Sequence, residues 1–156
     1  MKKTLLSLSL VCLTLPALAQ VPSLRAGDPM PRLQLKDQHD KPASIPADLQ
    51  QVVFAADKAG SALVTDWLDQ QPADWLARTK RVYLADIHKM PGLVTRMFAL
   101  PKLRDKPYAI VLGREAGDLA MFPARENCVT LLPVTAGKVG EVSHACDANS
   151  LQGALK

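Results

Sequence analysis

Three short apolar runs, "QVVFAA" (51–56), "RVYLADI" (81–87) and "PYAIVLG" (107–113), are separated by stretches whose apolar residues recur at helical spacing. Continuous apolar runs of this length are strands buried on both faces, and such strands alternating with helices build a layered α/β domain. After Gly60, Leu63, Val64, Trp67 and Leu68 fall on one helical face while Thr65, Asp66 and Asp69 fall on the other. "PADWLART" reads as a further helical turn or two beginning with Pro72, and Leu93, Met97, Phe98 and Leu100 share one apolar side of a helix that Pro101 limits. "RLQLKDQ", followed by His39, alternates as a half-buried or edge strand does. "CVTLLPV", "TAGK" and "VGEVSHAC" make a hairpin, and "DANSLQGALK" makes a short terminal helix starting at Asp147 or Asn149. The pattern predicts a mixed sheet flanked by helices.

The first nineteen residues carry Lys2 and Lys3, an apolar run from Leu5 to about Leu15, and Ala17-Leu18-Ala19 before Gln20. This is the three-part pattern of a signal peptide, and the run is shorter than the roughly 20 residues that span a bilayer. Cys12 lies inside the apolar run after Val11, which does not suit a lipid attachment site. The mature chain is therefore expected to begin near Gln20 without a stable membrane anchor, in the periplasm or outside the cell. Residues 20–156 then form one domain. Removing Lys2 and Lys3 takes Lys plus Arg from 19 to 17 against 15 acidic residues, so the net charge falls from +4 to +2. With scattered basic residues and few aromatics, no nucleic-acid partner is expected.

Of three cysteines, Cys128 and Cys146 remain after processing, and an even count in an oxidising compartment favours a disulfide. If the hairpin turns through Ala136-Gly137-Lys138, residues whose numbers sum to 274 face each other, which pairs 128 with 146. Opposed strand residues lie about 4.5 Å apart at a non-hydrogen-bonded pair, within reach of a disulfide. Neither cysteine lies in a short redox motif or at a recognised helix N-terminus, so the bond reads as structural. His39, His88 and His144 have no metal-site spacing, and a disulfide removes the thiolate that could join His144; no metal site is expected. Nor does any Gly-x-Gly-x-x-Gly or phosphate loop point to a cofactor.

The order of elements resembles the thioredoxin superfamily, in particular its secreted branch near peroxiredoxins and thiol-disulfide reductases. "AGDPMPRLQLKDQHDKPASI" is similar to the family's opening segment, "YAIVLGREAGDLAMFP" to its "LLLD..G.....Y" segment, and "CVTLLPVTAGKVGEV" to its hairpin. "DIHKMPGLVTRMFALPKLRDKPY" further resembles small secreted bacterial proteins of this type. The resemblance implies a thioredoxin-like sandwich with a C-terminal hairpin and helix. It also sets Ala59-Gly60-Ser61-Ala62 where the family carries Cys-x-x-Cys, and Asn127-Cys128-Val129 where it carries the cis-proline facing that turn.

A redox turn needs a thiolate held by a helix N-terminus and a second thiol one turn on, and alanine supplies neither. Ser61 has no base beside it and reads as part of the cap. The expected function is thus a redox-inactive, non-enzymatic binding or accessory protein. Its rim would comprise Asp57, Lys58, Ala59, Gly60, Ser61, Ala62 and, from the end of the second buried strand, His88. A protein, a peptide or a small ligand would serve as partner. The alternative is an atypical thiol-disulfide oxidoreductase working through Cys128 and Cys146.

Overall fold

The computed structural model describes residues 21–156. The signal-peptide reading lies outside the described residues. Seven strands form one mixed sheet: β1 (Lys36–Asp37), β2 (Gln51–Ala55), β3 (Arg81–Asp86), β4 (Val111–Gly113), β5 (Val129–Thr135), β6 (Lys138–Val139) and β7 (Ser143–Ala145). Their order is β1-β4-β3-β2-β5-β6, with β7 also paired to β5. β2, β3 and β4 run parallel; β5 lies antiparallel to β2. All three expected buried strands are present, and β2 and β3 sit at the centre because almost every residue in them is buried.

The helices are α1 (Lys58–Leu68), α2 (Trp75–Arg78), α3 (Gly92–Val94), α4 (Leu100–Arg104) and α5 (Ala148–Leu155). Strand alternation divides the core in two. Val53 and Ala55 of β2 face Val64 and Leu68 of α1, Leu100 of α4, and Leu151 and Leu155 of α5. Val52 and Phe54 face the other way, where Leu119 and Phe122 from the loop after β4, and Leu24, Met30 and Leu33 from the N-terminal segment, cover the sheet. The described helices therefore gather on one face, as parallel strands joined by successive crossovers in one direction require.

Three local expectations are corrected. The strand expected across "RLQLKDQ" is only two residues long, because Asp37 accepts hydrogen bonds from the amides of His39 and Lys41 and turns the chain back. The hairpin turn has two residues, not three. Ala136 and Gly137 both adopt positive φ, with Thr135 opposite Lys138. Three residues, 140–142, then oppose two, 132–133, so a bulge restores the expected register: Val129 faces Ala145 and Thr130 faces His144.

The third correction concerns the helix before Pro101. It does not stop there, but widens to a π-helical segment, Thr95–Ala99, between α3 and α4, with the Leu100 amide reaching back to the Thr95 carbonyl. Proline has no N–H to donate and its ring crowds the carbonyl four residues earlier, which the wider turn relieves. Leu100 consequently packs into the core, while Leu93, Met97 and Phe98 remain exposed rather than forming a buried face with it.

Candidate functional site

The site begins at Asp57. Its backbone is extended, and one carboxylate oxygen accepts from the Gly60 amide at 2.8 Å, capping α1. The other accepts from the Asn127 amide at 2.7 Å, seventy residues away. Asp57 therefore uses both oxygens on backbone donors rather than pairing with Lys58, and it ties the loop before β5 to the first turn of α1. Asn127 adopts a positive φ of 57°, which asparagine tolerates better than most residues, and the chain then enters β5 just after Cys128. Here the helix and the loop touch. A β-carbon added at Gly60 would lie 2.6 Å from the Cys128 carbonyl oxygen.

Cys128 and Cys146 are joined by a disulfide, with Cα atoms 4.1 Å apart. Cys128 is buried, at 4% exposure, whereas Cys146 is exposed. Cys146 also immediately precedes Asp147, the N-cap of α5, whose carboxylate accepts from the Ser150 amide at 2.9 Å. These hydrogen bonds hold the Asp147 carboxyl below the usual carboxylate range. The bond thus links the residue whose carbonyl abuts the first turn of α1 to the residue that precedes the N-cap of α5. On the same strand end, His144 Nδ1 lies 3.1 Å from Thr130 Oγ1, and its pKa is lowered by burial and by the Arg125 charge.

On the other side of the α1 turn a groove of about 660 Å³ opens between α1, the end of β3 and the α3–α4 segment. Ala56, Ala85, Ile87, Met90 and Leu103 contribute apolar surface, and Val94 and Phe98 supply a wall. Lys58, Lys89, Lys102 and Lys106 also line it. Lys106 pairs with Asp69, which also accepts from the Tyr108 hydroxyl at 2.8 Å. The Lys106 hydrogen bond holds the Asp69 carboxyl below its ordinary range, while burial and the bond to Asp69 raise the Tyr108 phenol. Behind Ser61 stands Tyr83, fully buried and with no hydrogen bond to its hydroxyl. Burial pushes its phenol up to about 12.

Of the expected rim residues, Asp57, Lys58, Ser61 and Ala62 line the groove. Gly60 is buried against Cys128, and Ala59 is exposed. His88 turns to Asp86, its Nδ1 2.7 Å from the carboxylate, outside the groove lining. The resemblance sets Asn127 opposite the turn, but sequence reasoning missed its bond to Asp57 and the groove wall at Val94 and Phe98. For the loop contact, the available signal was an aspartate three residues before a glycine at a helix start; for the wall, nothing local distinguishes it from a buried helix face.

No protein-family model matches the sequence, and no curated protein is similar to it in sequence. Among solved structures, the chain is similar to a candidate protein disulfide isomerase of Bacteroides thetaiotaomicron, at TM-score 0.55 and 12% identity over 85% of this chain and 86% of that one. It is also similar to a thio-disulfide isomerase of Thermus thermophilus, at 0.50 and 17% over 85% and 95%. A peroxiredoxin-like protein of Aquifex aeolicus aligns at 0.52 and 10% over 86% and 87%. The chain has the thioredoxin-like fold.

These findings correct the expectation of a redox-inactive, non-enzymatic accessory protein. The neighbours in fold include thiol-disulfide isomerases, and this chain carries a joined cysteine pair of its own. That expectation rested on Ala59 and Ala62. A turn without cysteine does not leave this region without sulfur, because Cys128 abuts Gly60 and carries the bond to Cys146.

Proposed function

We propose that this protein performs thiol–disulfide exchange in an exported, oxidising compartment, with Cys128 and Cys146 as the working pair. The observation that carries the reading is the asymmetry of the disulfide beside the α1 turn: Cys146 is exposed and Cys128 is buried against Gly60. Exchange proceeds by attack of a thiolate on one sulfur in line with the other, so access decides which sulfur is attacked.

A substrate thiolate attacks the Cys146 sulfur, the Cys128–Cys146 bond breaks, and its electron pair leaves on Cys128. The substrate is then held to Cys146 as a mixed disulfide. A second substrate thiolate attacks the substrate sulfur of that bond and releases Cys146 as a thiolate. The substrate has lost two electrons and the protein has gained them. In the opposite direction, reduced Cys146 attacks a substrate disulfide and Cys128 resolves the intermediate. The first turn of α1 lies beside Cys128, but the Asp57 carboxylate occupies the Gly60 and Asn127 amides, so that turn gives a Cys128 thiolate no net advantage. The Asp147 carboxylate beside Cys146 disfavours a thiolate there. Access distinguishes the two sulfurs: Cys146 is exposed and is attacked, and buried Cys128 is the leaving group.

Trapping tests the reading. In a Cys128→Ser variant the exposed Cys146 thiolate should attack the peptide sulfur of a cysteine peptide activated as its thiopyridyl disulfide, release thiopyridone and leave a stable peptide–Cys146 mixed disulfide, while Cys146→Ser should form none at a comparable rate. Equal, slow reaction of both variants would refute the proposal. Export is tested by the mass of the protein recovered from the periplasm, which should begin near Gln20.

A further inference from the structure

We infer that the groove beside the α1 turn docks an acidic, amphipathic polypeptide segment, which presents its thiols to the Cys128–Cys146 pair. This inference rests on the exchange reading above. Its first support is apolar surface left without a partner: Leu93, Val94, Met97 and Phe98 are 66%, 43%, 59% and 61% exposed. They fall in two columns four residues apart, 93 with 97 and 94 with 98. A contiguous cluster of this kind marks an interaction site more often than scattered exposed residues do. The wide turn before Pro101 creates it, because Leu100 enters the core and the preceding apolar side does not.

The shape of the surface selects a polypeptide. Val94 and Phe98 line the groove, whereas Leu93 and Met97 lie outside its lining. A ligand confined to the groove leaves the outer column uncovered; an amphipathic segment laid along α3 and the π-helical turn covers both. Methionine and phenylalanine suit such a surface, since one adapts and the other anchors.

Charge selects its sign. Four lysines, Lys58, Lys89, Lys102 and Lys106, line the groove against two carboxylates, Asp57 and Asp86, and among the described residues Lys58, Lys89 and Lys102 make no ion pair. The surroundings of the apolar patch are therefore positive. A second copy of the chain, placed face to face across this patch, would set lysine against lysine, which costs binding. An acidic partner gains where a second copy loses. Asp57 connects the two halves of the site, lining the groove and holding the amide next to Cys128.

The test uses the oxidised full-length mature protein and a cysteine-free, 18-residue helical peptide of leucine, methionine and glutamate, labelled for fluorescence anisotropy. A counterpart with lysine in place of glutamate is the control. The glutamate peptide should bind at least tenfold more tightly than the lysine peptide and weaken with added salt. Phe98→Ser and Lys102→Glu, both at exposed positions, should each reduce its affinity about tenfold while leaving the circular dichroism spectrum unchanged. Equal affinity for the two peptides, or binding indifferent to both substitutions, overturns the inference. So does preferential binding of monomeric oleate, which would assign the groove to a small anionic amphiphile, or self-association of the protein lost in Phe98→Ser. The glutamate peptide carrying a cysteine pair then tests the chemistry separately. Selective binding without exchange refutes the redox reading, and exchange without selective binding refutes the groove's part alone.

Discussion

Gly60 and Cys128 stand so close that a β-carbon on Gly60 would lie 2.6 Å from the Cys128 carbonyl oxygen. The obstacle is backbone, which cannot rotate aside. Gly60→Ala should therefore destabilise the protein by about 1–3 kcal/mol, despite the better helix propensity of alanine. Gly153, in the exposed part of α5, has nothing within 4 Å of its added β-carbon. Gly153→Ala should instead stabilise by about 0.5–1 kcal/mol. Urea denaturation of the two variants checks the contrast, and equal effects would show that the α1 turn and the β5 loop do not abut.

Asp57 is the second determinant of that contact. Asp57→Ala removes the acceptor for both the Gly60 and Asn127 amides. Loss of the cap alone should cost about 1 kcal/mol. The larger consequence is expected at Cys128: with its loop untied, the reduced thiol should react with iodoacetamide several-fold faster than in the parent protein. An unchanged rate, measured by mass spectrometry on folded protein, would count against the tether.

Tyr83 makes the protein sensitive to base. In the fold its phenol is pushed up to about 12, against 10.0 ordinarily. Its neutral form is thus favoured in the folded state. The contribution to stability is complete below pH 10 and is lost as pH rises from there through about 12. Because its hydroxyl has no hydrogen-bond partner, Tyr83→Phe should change stability at pH 7 by less than about 1 kcal/mol. It should also move the alkaline unfolding limb upward. A large loss at pH 7 would mean that the hydroxyl is bonded, with Ser61 as its partner.

The α/β architecture was legible in the sequence because β2 and β3 are continuous apolar runs and α1 shows one apolar face. The pairing of Cys128 with Cys146 was reached from an expected three-residue turn; the two-residue turn shifts the register by one, and the bulge at 140–142 brings it back, keeping Val129, Leu131 and Ala145 in the core. What escaped was tertiary. Helical spacing groups Leu93 and Met97 with Leu100, but it cannot report that a proline widens the preceding turn and leaves two of them outside. The position of the disulfide beside α1 depends on an aspartate reaching an amide seventy residues away. The resemblance sets Asn127-Cys128-Val129 opposite the turn, but the sequence of that segment could not show that Cys146 stays exposed while Cys128 is buried against Gly60.

The central claim is that the Cys128–Cys146 bond exchanges electrons with partners rather than only closing the hairpin. A purely structural bond across this loop would contribute about 3 kcal/mol to stability and resist reduction by glutathione, with a potential below about −300 mV. The direct measurement is equilibration of the mature protein in graded glutathione buffers, with the oxidised fraction read by alkylation and the fold by circular dichroism. The account predicts a midpoint between about −270 and −120 mV, the span of working exchange proteins, and a reduced form that stays folded. A midpoint below about −300 mV, or unfolding on reduction, would contradict it.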